Sequence, residues 1–574
     1  MPKPSTLARM FETRLSAHTV KASHKKVISL TPTLKDILGR GLLPQELPPP
    51  FNSLLLGRFA ESRGTTALPF DTTTKGFKTS RPEIYNLARA GSFRRELAIL
   101  NPIHFSVLAE CIVANWAQIS KLTKSKLSLT LPTPTAEGRA ISRLFALDIL
   151  PKRRAEVRSQ GSFLLKADVA RFYPSIYTHS IPWAAHGKSF AKTNRDLKYW
   201  GNKVDLLSRN CQDGQTNGIP VGPDTSLVIS ELLLARIDKF ISSRRIRGLR
   251  YMDDYELVFK SEEQALEVRS QLQEALLEFE LDLSTAKTTI LPLPQILEDG
   301  WVSALNLFEM YEGSQYFETQ IIRFFDKAFE LARLYPREGV LKYAAGRVTK
   351  LRLLEKHAEL VEHLLMQCAQ VETGALSFVL ASMLKNPAKN KETQKRRRLM
   401  LLQIVETHAP QRHSSEVAWA IWACIAMKLS LPRSVVRAAL KMEDSVCALL
   451  MLHARESNLV DEPKELQVLS KELKAEALYG PRWLLAYEAN IKRWFRFRGA
   501  KDYVAQDRNF RFLKKAGVSF YDKSKTILPT IQPSTQRTKV VDDYLSKIAF
   551  GYGRKVIDEN DEEENEDEEN LGEN

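Results

Sequence analysis

The sequence predicts an α+β domain followed by an all-α, helical-repeat-like C-terminal domain. Three observations predict it. Strand-like and helical patterns alternate from about residue 80 to 310. Strand signals then vanish, and leucine-rich helical patterns separated by short Pro-containing or polar breaks run on to about residue 500. The last stretch, "DENDEEENEDEENLGEN", holds eleven acids and no Lys or Arg, the composition of a disordered tail. The expected division is 1–79, an N-terminal segment punctuated by "LLPQELPPPFNSLLLG"; 80–310, the strand-containing domain; 311–540, the all-α domain; and 541–574, the acidic tail.

Taken in order, "SFRRELAILNPIHFSVLAECIVANWAQI" reads as a short strand, an Asn-Pro turn and an amphipathic helix. "SFLLKADVARFYPSIY" reads as a buried strand running into a turn at Pro174. "DTSLVISELLLARIDKFISS" is a helix with Asp224 or Thr225 as its N-cap. "GLRYMDDYELVFKS" is strand–turn–strand, and "EEQALEVRSQLQEALLEFEL" an amphipathic helix. Beyond residue 315, "QIIRFFDKAFELARLY", "EVAWAIWACIAMKLSL" and "SVVRAALKMEDSVCALLMLHARES" are helices of a solenoid without a crisp repeat period.

Charge bounds the partners. The chain carries a net +16, and removing the acidic tail leaves +27 on residues 1–557. A body that basic suits a polyanion, most simply nucleic acid; a solubility surface is the alternative. No run of 18 apolar residues suggests a membrane span, and the N-terminus lacks the apolar core of a secretory signal. The five scattered cysteines offer neither a metal pair nor a disulfide framework, as expected in a reducing cytoplasm.

The chemistry concentrates in three carboxylates. Asp168 ends an apolar strand, and Asp253 and Asp254 sit at a hairpin tip. Asp is a common turn residue, so a polar turn would explain the pair alone. If the two strands are neighbours, however, three like charges converge, which is costly unless cations occupy the site. Mg²⁺ prefers carboxylate oxygens, and two ions about 4 Å apart stabilise both oxygens of an in-line phosphoryl transfer. Between the two sites, "TNGIPVGPDTSLVISELLLARID" supplies a Gly- and Pro-rich loop feeding a helix, where backbone can approach a nucleotide.

These pieces resemble reverse transcriptase motifs A to D in order: "ADVARFYPSI", "GIPVGPDTSL", "YMDD" and "LDLSTAKT". The phrases "FYPSIYTHSIPWAAHGK" and "GIPVGPDTSLVISE" are more narrowly similar to bacterial abortive-infection, defence-associated reverse transcriptases of the AbiK and AbiA kind. The motifs cover about 160–290, and with the looser "RRELAILNP" the resemblance spans about 80–310. It implies palm and fingers, with the fingers starting in the N-terminal segment, ahead of the helical domain. It also implies a nucleotidyltransferase that uses dNTPs and Mg²⁺, with Mn²⁺ as the alternative ion. The implied metal set is Asp168, Val169, Asp253 and Asp254. Tyr173 takes the place of the side chain that clashes with a 2′-OH, with a core aromatic as the alternative. Lys287 matches the motif D lysine that protonates departing pyrophosphate. Pro220 and Gly222 shape the nucleotide pocket, and Arg94, Arg95, Arg139 and Arg143 are candidates to grip triphosphate or template.

One departure stands out. The wider family reads Pro-Gln-Gly in motif B, whereas this chain reads Pro220-Val221-Gly222. Losing that amide puts templated copying in doubt and fits untemplated, protein-primed synthesis. Tyr85, the only tyrosine before motif A, is the priming candidate by elimination, with a buried structural role as the alternative. The resemblance further implies single-stranded DNA as product, RNA as a second nucleic-acid partner, a homo-oligomer and a role in phage defence. A template-copying enzyme of a mobile element and a non-catalytic nucleic-acid-binding protein on the same scaffold are the other readings.

Two further patterns lie in the helical part. Arg352 to His357, "RLLEKH", has the R-x4-H spacing of HEPN-type ribonucleases, against a solvated helix face. "NIKRWFRFRGAKDYVAQDRNFRFLKK" offers Arg and Lys to phosphates and Trp494, Phe495 and Phe497 to bases, against an amphipathic helix with its aromatics inward.

Overall fold

The computed structural model describes residues 31–525 apart from 65, 71–78, 92, 243–245, 312, 352, 462 and 496–501. The acidic tail, Arg352 and Phe497 lie outside the described residues.

Among the described residues three sheets carry the strands. β1 (Glu83–Ala88) and β2 (Arg94–Ile99) form one antiparallel hairpin, and the short β3 (Pro132–Pro134) and β4 (Ile141–Arg143) form another. The central sheet has the order β6-β7-β5-β8, with β5 at Phe163–Asp168, β6 at Arg247–Tyr251, β7 at Asp254–Phe259 and β8 at Thr289–Pro292. All its pairings are antiparallel. β5 is interior, so Leu164, Leu165 and Ala167 are buried in near succession instead of alternating with solvent. Among the described residues no strand longer than an isolated bridge follows Pro292.

Helix α1 (Pro102–Ala114) starts where expected, with the Asn101 side chain accepting from the Ile103 N–H. It is not amphipathic, because Ile103, Phe105, Ser106, Leu108, Ala109, Cys111 and Ile112 are all buried. It packs on the helices Leu34–Arg40 and Trp200–Asn210, and later segments tie down the chain just before it: Asn101 Nδ2 donates to the Leu478 carbonyl, and Trp483 Nε1 donates to that of Ile99. Helix α2 (Asp224–Ser242) forms as read, but the Asp224 carboxylate is taken by Arg139 Nε (2.5 Å) and the Ile141 N–H (2.9 Å). Helix α3 (Glu262–Leu277) is capped by Ser261 and packs on β5 and β7.

In the helical part, neighbours in sequence pack on one another. α4 (Lys391–His408) lies on α5 (Ser414–Ala426), α5 on α6 (Ser445–Glu456), and α6 on α7 (Trp483–Ile491). α5 also lies against β1, so the hairpin and the helices share one buried apolar cluster running from Ile37 to Tyr521. A seam joins distant segments: the Asn52 N–H donates to the Phe520 carbonyl (3.0 Å), the Asp522 N–H to that of Pro50 (2.8 Å), and the rings of Phe51 and Tyr521 meet edge-on at 4.9 Å. Among the described residues no helix is long and apolar enough to cross a membrane.

Candidate active site

The register of the central sheet brings the carboxylates together. Asp168, the last residue of β5, pairs directly with Asp254, the first of β7. Tyr251 pairs with Asp254, leaving Met252 and Asp253 as a two-residue turn. Met252 adopts φ 58°, a left-handed conformation that a long side chain rarely takes and that costs on the order of 1–3 kcal/mol. The main chain ties the rest: the Val169 N–H donates to the Asp253 carbonyl (3.3 Å), and the Ser284 N–H donates to the Asp168 carbonyl (2.7 Å).

The electrostatics match an acid cluster short of positive charge. Partial desolvation, then the Asp253 charge and a hydrogen bond to Asp168, raise the Asp254 carboxyl to about 7. Burial and then the Asp168 charge raise Asp253. Lys287 Nζ lies 2.9 Å from Asp168 Oδ2, and that bond raises the ammonium. The Lys287 side chain is 66% exposed, so it offsets the acids only weakly. Asp254 is therefore partly protonated at neutral pH, where a divalent cation would take the proton's place, and the donor set is all oxygen, the preference of Mg²⁺.

The Gly-rich loop is pinned beside this edge. The Ile219 N–H donates to the Tyr173 carbonyl (3.0 Å), and the Ala98 N–H of β2 donates to that of Val221 (2.7 Å). Gly222 has φ 129°, and a Cβ there would press on the Ala98 carbonyl oxygen at 3.3 Å, so glycine is required. Pro220 is half-buried in this loop. The Tyr173 hydroxyl lies 3.3 Å from Ser230 Oγ, and burial pushes it up to about 12, so it stays protonated.

The arginines divide. Arg95 stays near the acids: desolvation, then the Arg89 and Arg143 charges, lower its guanidinium, while Glu46 and Asp253 oppose this. Arg143 donates to the Tyr251 hydroxyl at 3.2 Å, next to the turn. Arg139 is instead a clamp, donating to Asp224 and to the carbonyls of Leu43, Gly41 and Gly222. Arg94 is engaged elsewhere too: it forks onto Glu416 of α5 and onto Asn86, so it does not face the carboxylates.

Tyr85 is corrected in the same way. It lies on the inward face of β1, fully buried, with its hydroxyl donating to the Glu46 carbonyl (3.4 Å). Burial, then the neighbouring Cys447, Asp444 and Glu416, hold its phenol well above the ordinary range. A priming hydroxyl has to reach a nucleotide, and this one does not. In "RLLEKH", His357 is buried against Phe317 in a single 3₁₀ turn, with Nδ1 2.9 Å from Glu318; it is not on a helix face. In the basic-aromatic stretch, Phe495 packs inward and Trp494 Nε1 donates to Glu456, but both follow the end of the helix at Ile491, so the aromatics turn inward without the expected amphipathic helix.

The sequence reading missed the support beneath the hairpin. Arg250 is wholly buried and donates to both oxygens of Glu231 (2.9 Å each) and of Asp238 (2.7–3.0 Å). It also donates to the Met252 carbonyl (2.7 Å), while Thr130 Oγ1 accepts from the Met252 N–H (3.1 Å) and donates to Glu231 (2.7 Å). The strained turn residue thus has both main-chain groups held by one network. Burial pushes the Glu231 carboxyl up, but Arg250 outweighs it and keeps it below the usual range. A signal existed: Glu231 and Asp238 are seven residues apart, hence on one face of an otherwise apolar helix.

Residues 108–306 match the reverse transcriptase (RNA-dependent DNA polymerase) family. They span the central sheet, the Gly-rich loop and all three carboxylates. The fold is therefore a reverse transcriptase palm and fingers followed by helices, and the protein is a nucleotidyltransferase, an RNA-directed DNA polymerase by class. Such domains act on nucleotides and nucleic acid with divalent metal ions. Among solved structures, telomerase from Candida albicans in complex with a fragment of telomeric RNA aligns over 73% of this chain and 70% of its own, at 10% identity and a TM-score of 0.26. At that score the likeness adds nothing to the argument. No curated protein matches the chain.

Proposed function

We propose that the chain is a defence-associated reverse transcriptase of the AbiK and AbiA kind, a cytoplasmic homo-oligomer that joins dNTPs without copying a template. The observation that carries the catalytic part is the Asp168–Asp254 register, with Asp253 in the adjoining turn. Asp168, Asp253, Asp254 and the Val169 carbonyl would hold Mg²⁺, or Mn²⁺, which would offset charge on the attacking and leaving oxygens. A hydroxyl oxygen attacks the α-phosphorus of a dNTP as the bond to pyrophosphate breaks; its proton leaves to solvent, and Lys287 offers one to the departing group. Tyr173 bars a 2′-OH, Pro220 and Gly222 hold the loop against the nucleotide, and Arg95 and Arg143 meet its phosphates.

Two observations support untemplated synthesis. Val221 packs its side chain against the core and spends its carbonyl on Ala98, so the loop offers no side-chain amide there. The helical part shares the buried apolar cluster of the palm, which supports giving it a thumb's task of guiding single-stranded product. The test is one reaction with Mg²⁺ and labelled dNTPs, lacking template and primer, beside an Asp253→Ala/Asp254→Ala control. Label that travels with the protein until protease is added, and is absent from the control, is expected. Label that appears only once RNA and a primer are supplied defeats the untemplated reading.

A further inference from the structure

A second cluster of metal-ligating side chains lies away from the carboxylate edge. The end of α4 and the start of α5 bring the Nδ1 atoms of His408 and His413 to 3.0 Å from each other. Glu416 Oε1 lies 3.9 Å from the first and 3.7 Å from the second. A point equidistant from these three atoms is about 2.1 Å from each, the bond length of Zn²⁺ to imidazole nitrogen or carboxylate oxygen.

The surroundings are those of a ligand set. Glu416 is almost wholly buried, with Arg94 and Ser415 on Oε2 and Arg94 and Thr373 on Oε1. Ligating carboxylates are commonly oriented by such partners. The four bonds use all its acceptor sites, so an ion has to displace one donor. Thr373, a rotatable hydroxyl, is the least costly to displace, and Arg94 can stay on Oε2. The imidazoles are 17% and 19% exposed, which leaves a path for the ion and for a water as fourth ligand.

We propose that His408, His413 and Glu416 form a transition-metal site, for Zn²⁺ by its donor set, distinct from the Mg²⁺ site. Two nitrogens and one oxygen suit Zn²⁺ over Mg²⁺, which takes oxygen ligands. Glu416 also anchors Arg94 of β2, so a bound ion would fix α4 and α5 to the β1–β2 hairpin. The site does not depend on the untemplated reading.

The full-length chain, stripped with chelator and kept in millimolar Mg²⁺ to fill the carboxylate edge, is titrated with Zn²⁺ alone. Bound metal is counted by mass spectrometry, and Co²⁺ is titrated in parallel for its visible absorption. One ion per chain, a Co²⁺ spectrum of low coordination number and at least tenfold weaker binding by His413→Ala are expected. Less than stoichiometric binding, or equal binding by His413→Ala, overturns the assignment. If that variant does not fold, Thr373→Val keeps both imidazoles and removes the displaced donor. It should bind Zn²⁺ as tightly as the parent or more so, and weaker binding overturns the assignment.

Discussion

The two carboxylate groups that meet at the Met252 hairpin are handled in opposite ways. Asp168, Asp253 and Asp254 stand at one end of the sheet with one exposed lysine beside them, and Asp253 and Asp254 hold their protons more tightly than ordinary carboxyls. Glu231 and Asp238 lie beneath the same hairpin, and every oxygen meets a buried guanidinium. The fold compensates the second group fully and leaves the first short of charge. The difference separates a group that holds geometry from a group that awaits a cation.

The sharpest way to break the contrast is Asp253→Ala. It should cost nucleotidyl transfer on the order of 10⁴-fold, about 5.5 kcal/mol, while the thermal midpoint in chelator stays or rises, because one member of a repelling set is gone. A parallel loss of fold would mean the edge is structural. Arg250→Met tests the other side. It leaves two buried acids unpaired and should destabilise the protein by about 3–5 kcal/mol, read from denaturant unfolding. Adding Glu231→Leu and Asp238→Leu should recover a large part of that loss, and the recovered protein should still transfer nucleotides more slowly, since Met252 has lost its carbonyl partner.

Glu83 offers a third treatment of a carboxyl. It is fully buried, and burial, then Asp444, raise it to about 8. The folded state keeps its proton where the unfolded chain has released it, so this contribution is complete below about pH 4 and is lost as pH rises through about 8. Thermal midpoints should fall as pH rises from about 4.5 to about 8 and level off above that, and Glu83→Gln should flatten the fall; an unchanged slope would mean Glu83 is ionised in the fold. The smallest effect belongs to Lys287→Ala. An exposed pair is worth about 0–1 kcal/mol, so at saturating Mg²⁺ the stability change should be near zero. A loss of transfer beyond about tenfold would give Lys287 a part in the chemistry and not only in screening.

Much of this arrangement could be read from sequence, for identifiable reasons. Short apolar runs bounded by turn residues placed β5, β6 and β7, and the ordered spacing of Asp168, the Gly-rich loop and Asp253-Asp254 pointed to the candidate site. What could not be read depends on partners far along the chain. Arg94 looked like a phosphate ligand because nothing local shows Glu416, more than 300 residues later. Arg139 sits in a polar stretch and gives no hint that Gly41, Leu43 and Gly222 share its guanidinium. Tyr85 was singled out by elimination, and only the packing of α5 on β1 shows it to be sealed. Helix α1 looked amphipathic because the helices that enclose it, Leu34–Arg40 and Trp200–Asn210, lie elsewhere in the chain.

The seam between Pro50–Asn52 and Phe520–Asp522 sets a clock on manufacture. A ribosome adding about 5–20 residues per second needs roughly 25–95 seconds to travel from the first side of that seam to the second. Throughout that interval the early segment is outside the ribosome without its partner, and the apolar surface that Tyr521 later covers is bare. The early segment is translated first and covered last, so the nascent chain passes most of its synthesis with the two sides of the seam unjoined.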